Sequence, residues 1–122
     1  MTRIVTVDDQ APFRDAARAL VEHTPGFELV GESNDGGTAL QLVRDADADM
    51  VIVDVRMPGM DGIEVADRLR AEDPTRVVVL ATSSDLLDLP PRARTCGASA
   101  VVQKRWLTPR FLRGLWVAHR RR

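Results

Sequence analysis

Runs of β-branched residues alternate with stretches whose apolar positions recur every three or four residues, and the pattern repeats five times. RIVTV (3–7) reads as a short strand, and FRDAARALVEH as a helix with Phe13, Ala16, Ala17, Leu20 and Val21 along one face. TPG (24–26) breaks that helix, FELVGE forms a second strand, and DGGTALQLVRDA returns to helical spacing with Ala39, Leu40 and Val43 aligned. DMVIVDV is a third strand, and GIEVADRLRAE a third helix closed by Pro74. RVVVLAT (76–82) shows no polar alternation, as expected of a strand buried on both faces. SAVVQ (99–103) is a fifth strand, and LTPRFLRGLWVAHRRR a last helix with Thr108 as cap and Pro109 at its first position.

Strand–helix alternation of this kind predicts an α/β fold, a doubly wound parallel sheet of five strands with helices on both faces. The crossovers between parallel strands are right-handed almost without exception. The fourth helical segment, DLLDLPPRARTCG, departs from the rest because Pro90 and Pro91 stand inside it. A proline in a helix interior costs about 3 kcal/mol, so this helix begins at the pair or is reduced to about one turn.

Ligands of such sheets bind beyond the carboxyl ends of the strands. Those ends carry Asp8 and Asp9, then Asp54, then Thr82 and Ser83, and then Lys104. Each has an ordinary reading alone: Asp8 as a helix cap, Thr82 as a strand residue, Lys104 as a surface charge. Together they are harder to dismiss. Crowded carboxylates repel, and one would take up a proton unless a cation intervened. Mg²⁺ suits this donor set, since it favours one or two carboxylates with water and phosphate. Lys104 would then serve as a point charge on a phosphate oxygen and Thr82 as a hydrogen-bond donor. The set points to phosphoryl transfer with a carboxylate as nucleophile.

Composition narrows the class. The chain has 122 residues, 44% hydrophobic and 29% charged, which suits one soluble domain over residues 1–122. No apolar run approaches a membrane span and the N-terminus lacks a signal-peptide layout, so a cytoplasmic location and no membrane partner are expected. Cys96 is the sole cysteine, which excludes an intrachain disulfide and reads as a packing residue. The net charge of −1 offers no global field for nucleic acid, although the chain ends in the basic KRWLTPRFLRGLWVAHRRR. Direct nucleic-acid binding is not expected, for no recognition-helix pattern accompanies that tail.

The whole chain resembles the receiver domains of two-component response regulators. VDDQAPFRDAARAL is similar to the family's paired acidic residues and first helix, and DVRMPGMDG to its D-x-x-M-P-x-M-D-G pattern. VVLATSSD resembles the segment with the switch hydroxyl, GASAVVQK the G-A-x-x-x-x-x-K ending, and GESNDGGTAL the NarL/FixJ branch. The resemblance implies a flavodoxin-like sheet of strand order 2-1-3-4-5 and Asp54 as phosphoacceptor. It implies Mg²⁺ held by Asp9, by Asp54, by the backbone carbonyl of Arg56 and, directly or through water, by Asp8. Thr82 would bond the acyl phosphate, and Lys104 would pair with a phosphate oxygen. The implied partners are a histidine kinase and a downstream protein target, with a second copy of the chain as a further candidate. An effector domain in the same polypeptide is implied if the chain is part of a longer regulator, with HRRR starting the linker.

Two positions depart from the family pattern. Val101 stands where many receivers carry an aromatic reporter, and Pro90–Pro91 interrupt the fourth helix. Arg56 and Ser84, each two residues beyond a site residue, occupy positions that influence phosphate lifetime in the family, with Ser83 beside them. Arg56 would reach the phosphoryl group or shield it from water. Met57 and Met60 read as packing residues under the loop. Three functions compete: a phosphorylated signalling switch rather than a turnover enzyme, a degenerate receiver that binds without phosphorylation, and a phosphatase of the haloacid-dehalogenase type. The last needs a second aspartate two residues after the nucleophile, and Arg56 stands there.

Overall fold

Val, Ile and Leu fill the strands so densely that both faces of the sheet must be covered, and they are. The computed structural model describes residues 1–120. In chain order its elements are β1 (Thr2–Val7), α1 (Ala11–Glu22), β2 (Phe27–Ser33), α2 (Gly36–Ala46), β3 (Met50–Asp54), α3 (Gly62–Glu72), β4 (Val77–Thr82), α4 (Arg92–Thr95), β5 (Ala100–Gln103) and α5 (Pro109–His119). Single 3-10 turns cover Leu86–Asp88 and Lys104–Trp106. The strands pair in parallel in the order β2-β1-β3-β4-β5. This is the predicted doubly wound sheet.

Successive strand residues feed opposite cores, because side chains alternate across the pleat. Ile4, Met50, Ile52, Val77 and Val79 face α1 and α5, where Val21, Leu112 and Leu115 cover them. Val5, Val51, Val53, Val78 and Leu80 face the other way, toward Leu40 and Val43 of α2, Leu69 of α3 and Ala93 of α4. Burying each such side chain contributes roughly 1.5–3 kcal/mol. The central strands are thereby held from both sides, and their carboxyl ends inherit that rigidity.

Two helices differ from the sequence expectation. Ala16 is exposed rather than part of the α1 core face, because it lies at the edge of the stripe that Ala17 and Val21 bury. The last helix ends at His119, with Arg120 extended, and the predicted continuation to Arg121 and Arg122 lies outside the described residues. Its start is as predicted, with Thr108 Oγ1 accepting from the Phe111 amide at 3.2 Å. The proline pair has the expected effect: α4 is one turn long, with Pro91 at its N-cap.

The loop after β3 is folded tightly behind the strand end. Gly59 there has φ +74°, a left-handed conformation that glycine adopts without strain. Asp61 caps α3 by accepting from the Glu64 amide at 2.9 Å. Gly62, whose amide donates to the Val55 carbonyl at 3.0 Å, lies so close to β3 that a Cβ would stand 2.1 Å from the Asp54 carbonyl oxygen. Gly62→Ala is expected to cost about 2–3 kcal/mol in urea unfolding, since backbone and not a flexible side chain must give way. A loss below about 0.5 kcal/mol would show that this loop is free to move.

Candidate functional site

Sheet register assembles the site. Val7 of β1 lies opposite Val53 of β3, so Asp8 and Asp54 emerge side by side. Asp54 is in turn opposite Ala81 of β4, and Thr82 opposite Gln103 of β5, which brings Lys104 to the same rim. No ligand-specific interaction is needed for this convergence. It follows from four parallel strands ending together.

Asp8 is fully buried, and its Oδ1 accepts from the Gln10 amide at 2.9 Å. It therefore does not cap α1, whose N-cap residue is Gln10. The Lys104 ammonium lies 2.6 Å from Asp8 Oδ2 and 3.6 Å from Asp54 Oδ1. The contact with Asp8 is a charge pair and not a well-directed hydrogen bond, because Oδ2 has no hydrogen-bond partner of acceptable geometry. Carboxylate oxygens of Asp8, Asp9 and Asp54 lie within 4.8 Å of one another, with Asp9 exposed to solvent.

Three carboxylates thus share one ammonium. Burial pushes the Asp54 carboxyl above its ordinary range, the charges of Asp8 and Asp9 add to the rise, and Lys104 and the Arg56 amide oppose it. A small divalent cation fits this donor set: three hard oxygens close together, one buried oxygen without a hydrogen bond, and too little positive charge nearby.

The remaining predicted residues divide into two groups. Thr82 is buried, and its Oγ1 accepts from the Ser84 amide at 3.0 Å, which leaves the hydroxyl proton free to donate. Ser83 is exposed, while the Ser84 carbonyl accepts from Gln103 Nε2 at 3.2 Å. Arg56 does not turn toward Asp54: its guanidinium donates to the Asp88 carbonyl at 3.1 Å, tying the loop after β3 to the loop after β4. Val101 is half-buried in β5, and Met57 and Met60 pack beneath the loop as predicted.

Sequence reasoning missed the supports of the charged residues. The Lys104 ammonium lies 4.3 Å from the centroid of the Phe13 ring, a cation–π contact that helps fix it over the site. Arg14 donates to the Asp8 carbonyl at 2.7 Å. Both residues sit in the first turns of α1, directly after the acidic pair, and that proximity in sequence was the available signal.

The raised Asp54 carboxyl has a consequence for stability. The folded state holds that proton more tightly than the unfolded state, so stability falls as pH rises from the ordinary carboxylate value through the raised one. Without Mg²⁺, Asp54→Asn is therefore expected to raise the thermal midpoint at pH 7, with the gain shrinking toward pH 4. A gain that stays constant over that range would show that charge is not its source.

Known proteins carry the same framework. The response regulator receiver domain family matches residues 4–114. The chain is 40% identical over 103 residues to the transcriptional regulatory protein PdtaR of Mycobacterium tuberculosis, covering 84% of this chain and 49% of that protein. It is 35% identical over 83 residues to the nitrate/nitrite response regulator NarP of Escherichia coli, covering 68% of this chain and 39% of NarP. A LuxR-family two-component response regulator from Aurantimonas superposes with a TM-score of 0.83 at 31% identity, over 97% of this chain and 86% of that one. The chain thus spans about half the length of PdtaR and less of NarP. A parallel sheet that gathers Asp8, Asp54 and Lys104 at its carboxyl edge, matched along nearly its whole length, belongs to the response regulator receiver domain family.

Proposed function

We propose that Asp54 accepts a phosphoryl group from the phosphohistidine of a histidine kinase and that the acyl phosphate switches a protein-binding surface. One observation carries this reading: the half-buried Lys104 ammonium spans Asp8 and Asp54 at 2.6 and 3.6 Å. An Asp54 oxygen attacks phosphorus, the new O–P bond replaces the P–N bond, and the departing imidazole keeps the electron pair. Lys104 neutralises charge that gathers on the phosphoryl oxygens, and Thr82 donates its free hydroxyl proton to one of them. Asp9, Asp54, the Arg56 carbonyl and, directly or through water, Asp8 would hold Mg²⁺, which supplies further charge neutralisation when bound.

The chain is a phosphoacceptor in this reading and not a turnover enzyme. Its output is a contact with a separate protein or with an effector domain of a longer polypeptide. Among the described residues no helix is long and apolar enough to cross a membrane, and a cytoplasmic location for the chain is part of this reading. The half-buried Val101 and the single-turn α4 favour a readout that does not use a swinging aromatic side chain.

Incubation with Mg²⁺ and acetyl phosphate, followed by intact mass, is expected to give one phosphate adduct on the wild type and none on Asp54→Asn. Removing Mg²⁺ with a chelator should abolish labelling, and Lys104→Ala should slow it by about a hundredfold. An unlabelled wild type, under conditions that label another receiver, would assign the chain to phosphorylation-independent binding.

A further inference from the structure

The amino ends of β4 and β5 lie at the edge of the sheet opposite Asp54, and no part of the phosphoryl chemistry uses them. Six residues of β4 separate the two edges by about 16 Å. A cavity of about 190 Å³ opens at this far edge. It is lined by Arg70 at the end of α3, Pro74 and Arg76 before β4, Ala98 and Ser99 before β5, and His119 at the end of α5. Two guanidinium groups, an imidazole and a hydroxyl thus share one small space, and among the described residues no carboxylate lines it.

The polar groups are held in place by the fold and left with little opposing charge. The Arg76 side chain is only 9% exposed, and its Nε donates to the Ala48 carbonyl at 2.9 Å. The one carboxylate within 4.0 Å of it among the described residues is Asp47, at 3.9 Å and 93% exposed, which neutralises little. Glu72 and Asp73 are engaged elsewhere, Glu72 by Arg44 Nε at 2.9 Å and Asp73 Oδ1 by the Thr75 amide at 3.0 Å. Arg44 and Thr75 are accordingly the main influences that hold those two carboxyls below their ordinary range, and Arg76 is the least. Ser99 is fixed by two bonds to Val78. Its amide donates to the Val78 carbonyl at 2.7 Å and its Oγ accepts from the Val78 amide at 3.1 Å, so the hydroxyl proton is free to donate. Arg70 has no carboxylate within 4.0 Å among the described residues. Its approach depends on Gly97, where a Cβ would stand 2.9 Å from Arg70 Cβ and 2.8 Å from the Ala66 carbonyl oxygen.

Helix C-termini favour cations, which accounts for Arg70 and His119 singly. It does not account for Arg76, which precedes a strand and is nearly buried with so little opposing charge. Burying a poorly paired charge is costly, and a bound anion removes that cost. We propose that this cavity binds a phosphate dianion, with Arg76 and Arg70 pairing with its oxygens and Ser99 and His119 donating hydrogen bonds to them. Guanidinium forks match phosphate oxygens in pairs. Donors that converge from four elements also suit a tetrahedral anion better than a planar carboxylate. The volume lies below the roughly 300 Å³ at which small-molecule pockets begin, so it admits one such group and not a whole nucleotide. The source is free inorganic phosphate or the terminal group of a monoester whose remainder stays in solvent. This is a second site, distinct from the Asp54 chemistry and independent of it.

The test is a titration of the full chain followed by backbone amide shifts in NMR, without Mg²⁺, at constant ionic strength and at about pH 7.5, where phosphate is largely dianionic. Inorganic phosphate and glycerol phosphate are added separately, and acetate serves as the carboxylate comparison. Saturable shifts are expected at Arg70, Arg76, Ser99 and His119 with a Kd of about 1 mM, and acetate should bind at least about tenfold more weakly. Arg70→Ala removes an exposed side chain that the fold can spare, and it should weaken phosphate binding at least about fivefold, as should His119→Ala. Arg68→Ala, on the same helix but paired with Glu64, should leave it unchanged. Circular dichroism confirms that the variants remain folded. Tighter binding of the monoester assigns the site to a phosphorylated molecule, exclusion of the monoester assigns it to free phosphate, and either supports the proposal. No saturation at about 20 mM, equal binding of acetate, or undiminished phosphate binding by Arg70→Ala overturns it. So do shifts confined to Asp8, Asp9 and Lys104, because the anion then occupies the carboxyl edge of the sheet instead.

Discussion

One ammonium between two buried carboxylates is the constraint on which the rest of this structure depends. Lys104 cannot leave Asp8 and Asp54 without stranding two negative charges in a site that water barely reaches. The apolar strands make that arrangement rigid by holding β1 and β3 from both faces, so the carboxylates cannot relax apart. Asp9 adds a third charge at the open side, and the site is left short of positive charge in just the place where a cation and a phosphoryl group would enter. The fold therefore stores unfavourable electrostatics at its edge and holds them with the burial free energy of its core.

The architecture lay open in the sequence because it rests on patterns that repeat. Strands without polar alternation and helices with apolar stripes leave few folds to choose from, while the strand order 2-1-3-4-5 was implied by the family resemblance rather than by the pattern. The carboxyl-edge residues were legible for the same reason: Asp8, Asp54, Thr82 and Lys104 each end or follow a predicted strand. What was not legible was orientation. Nothing in the spacing shows that Arg56 turns to the Asp88 carbonyl, or that Phe13 lies under the Lys104 ammonium, since both depend on how loops fold over the rim. Ala16 shows the same limit on a helix, where a stripe read from spacing is wider than the face that packing buries.

The two departures from the family pattern prove to be connected in space. Pro90 and Pro91 reduce α4 to a turn, and the loop before it is held instead by Arg56 and by its own 3-10 turn. Val101 lines one small cavity with Leu86 and Leu89 of that loop and with Ala93 of the short α4.

Asp54 is held with too little positive charge around it. The direct measurement is a carbon-13 titration of the Asp54 carboxyl by NMR, with and without Mg²⁺. The expected midpoint lies above the ordinary aspartate value in the absence of Mg²⁺ and shifts to lower pH when Mg²⁺ is added. An ordinary midpoint that Mg²⁺ leaves unchanged would contradict it.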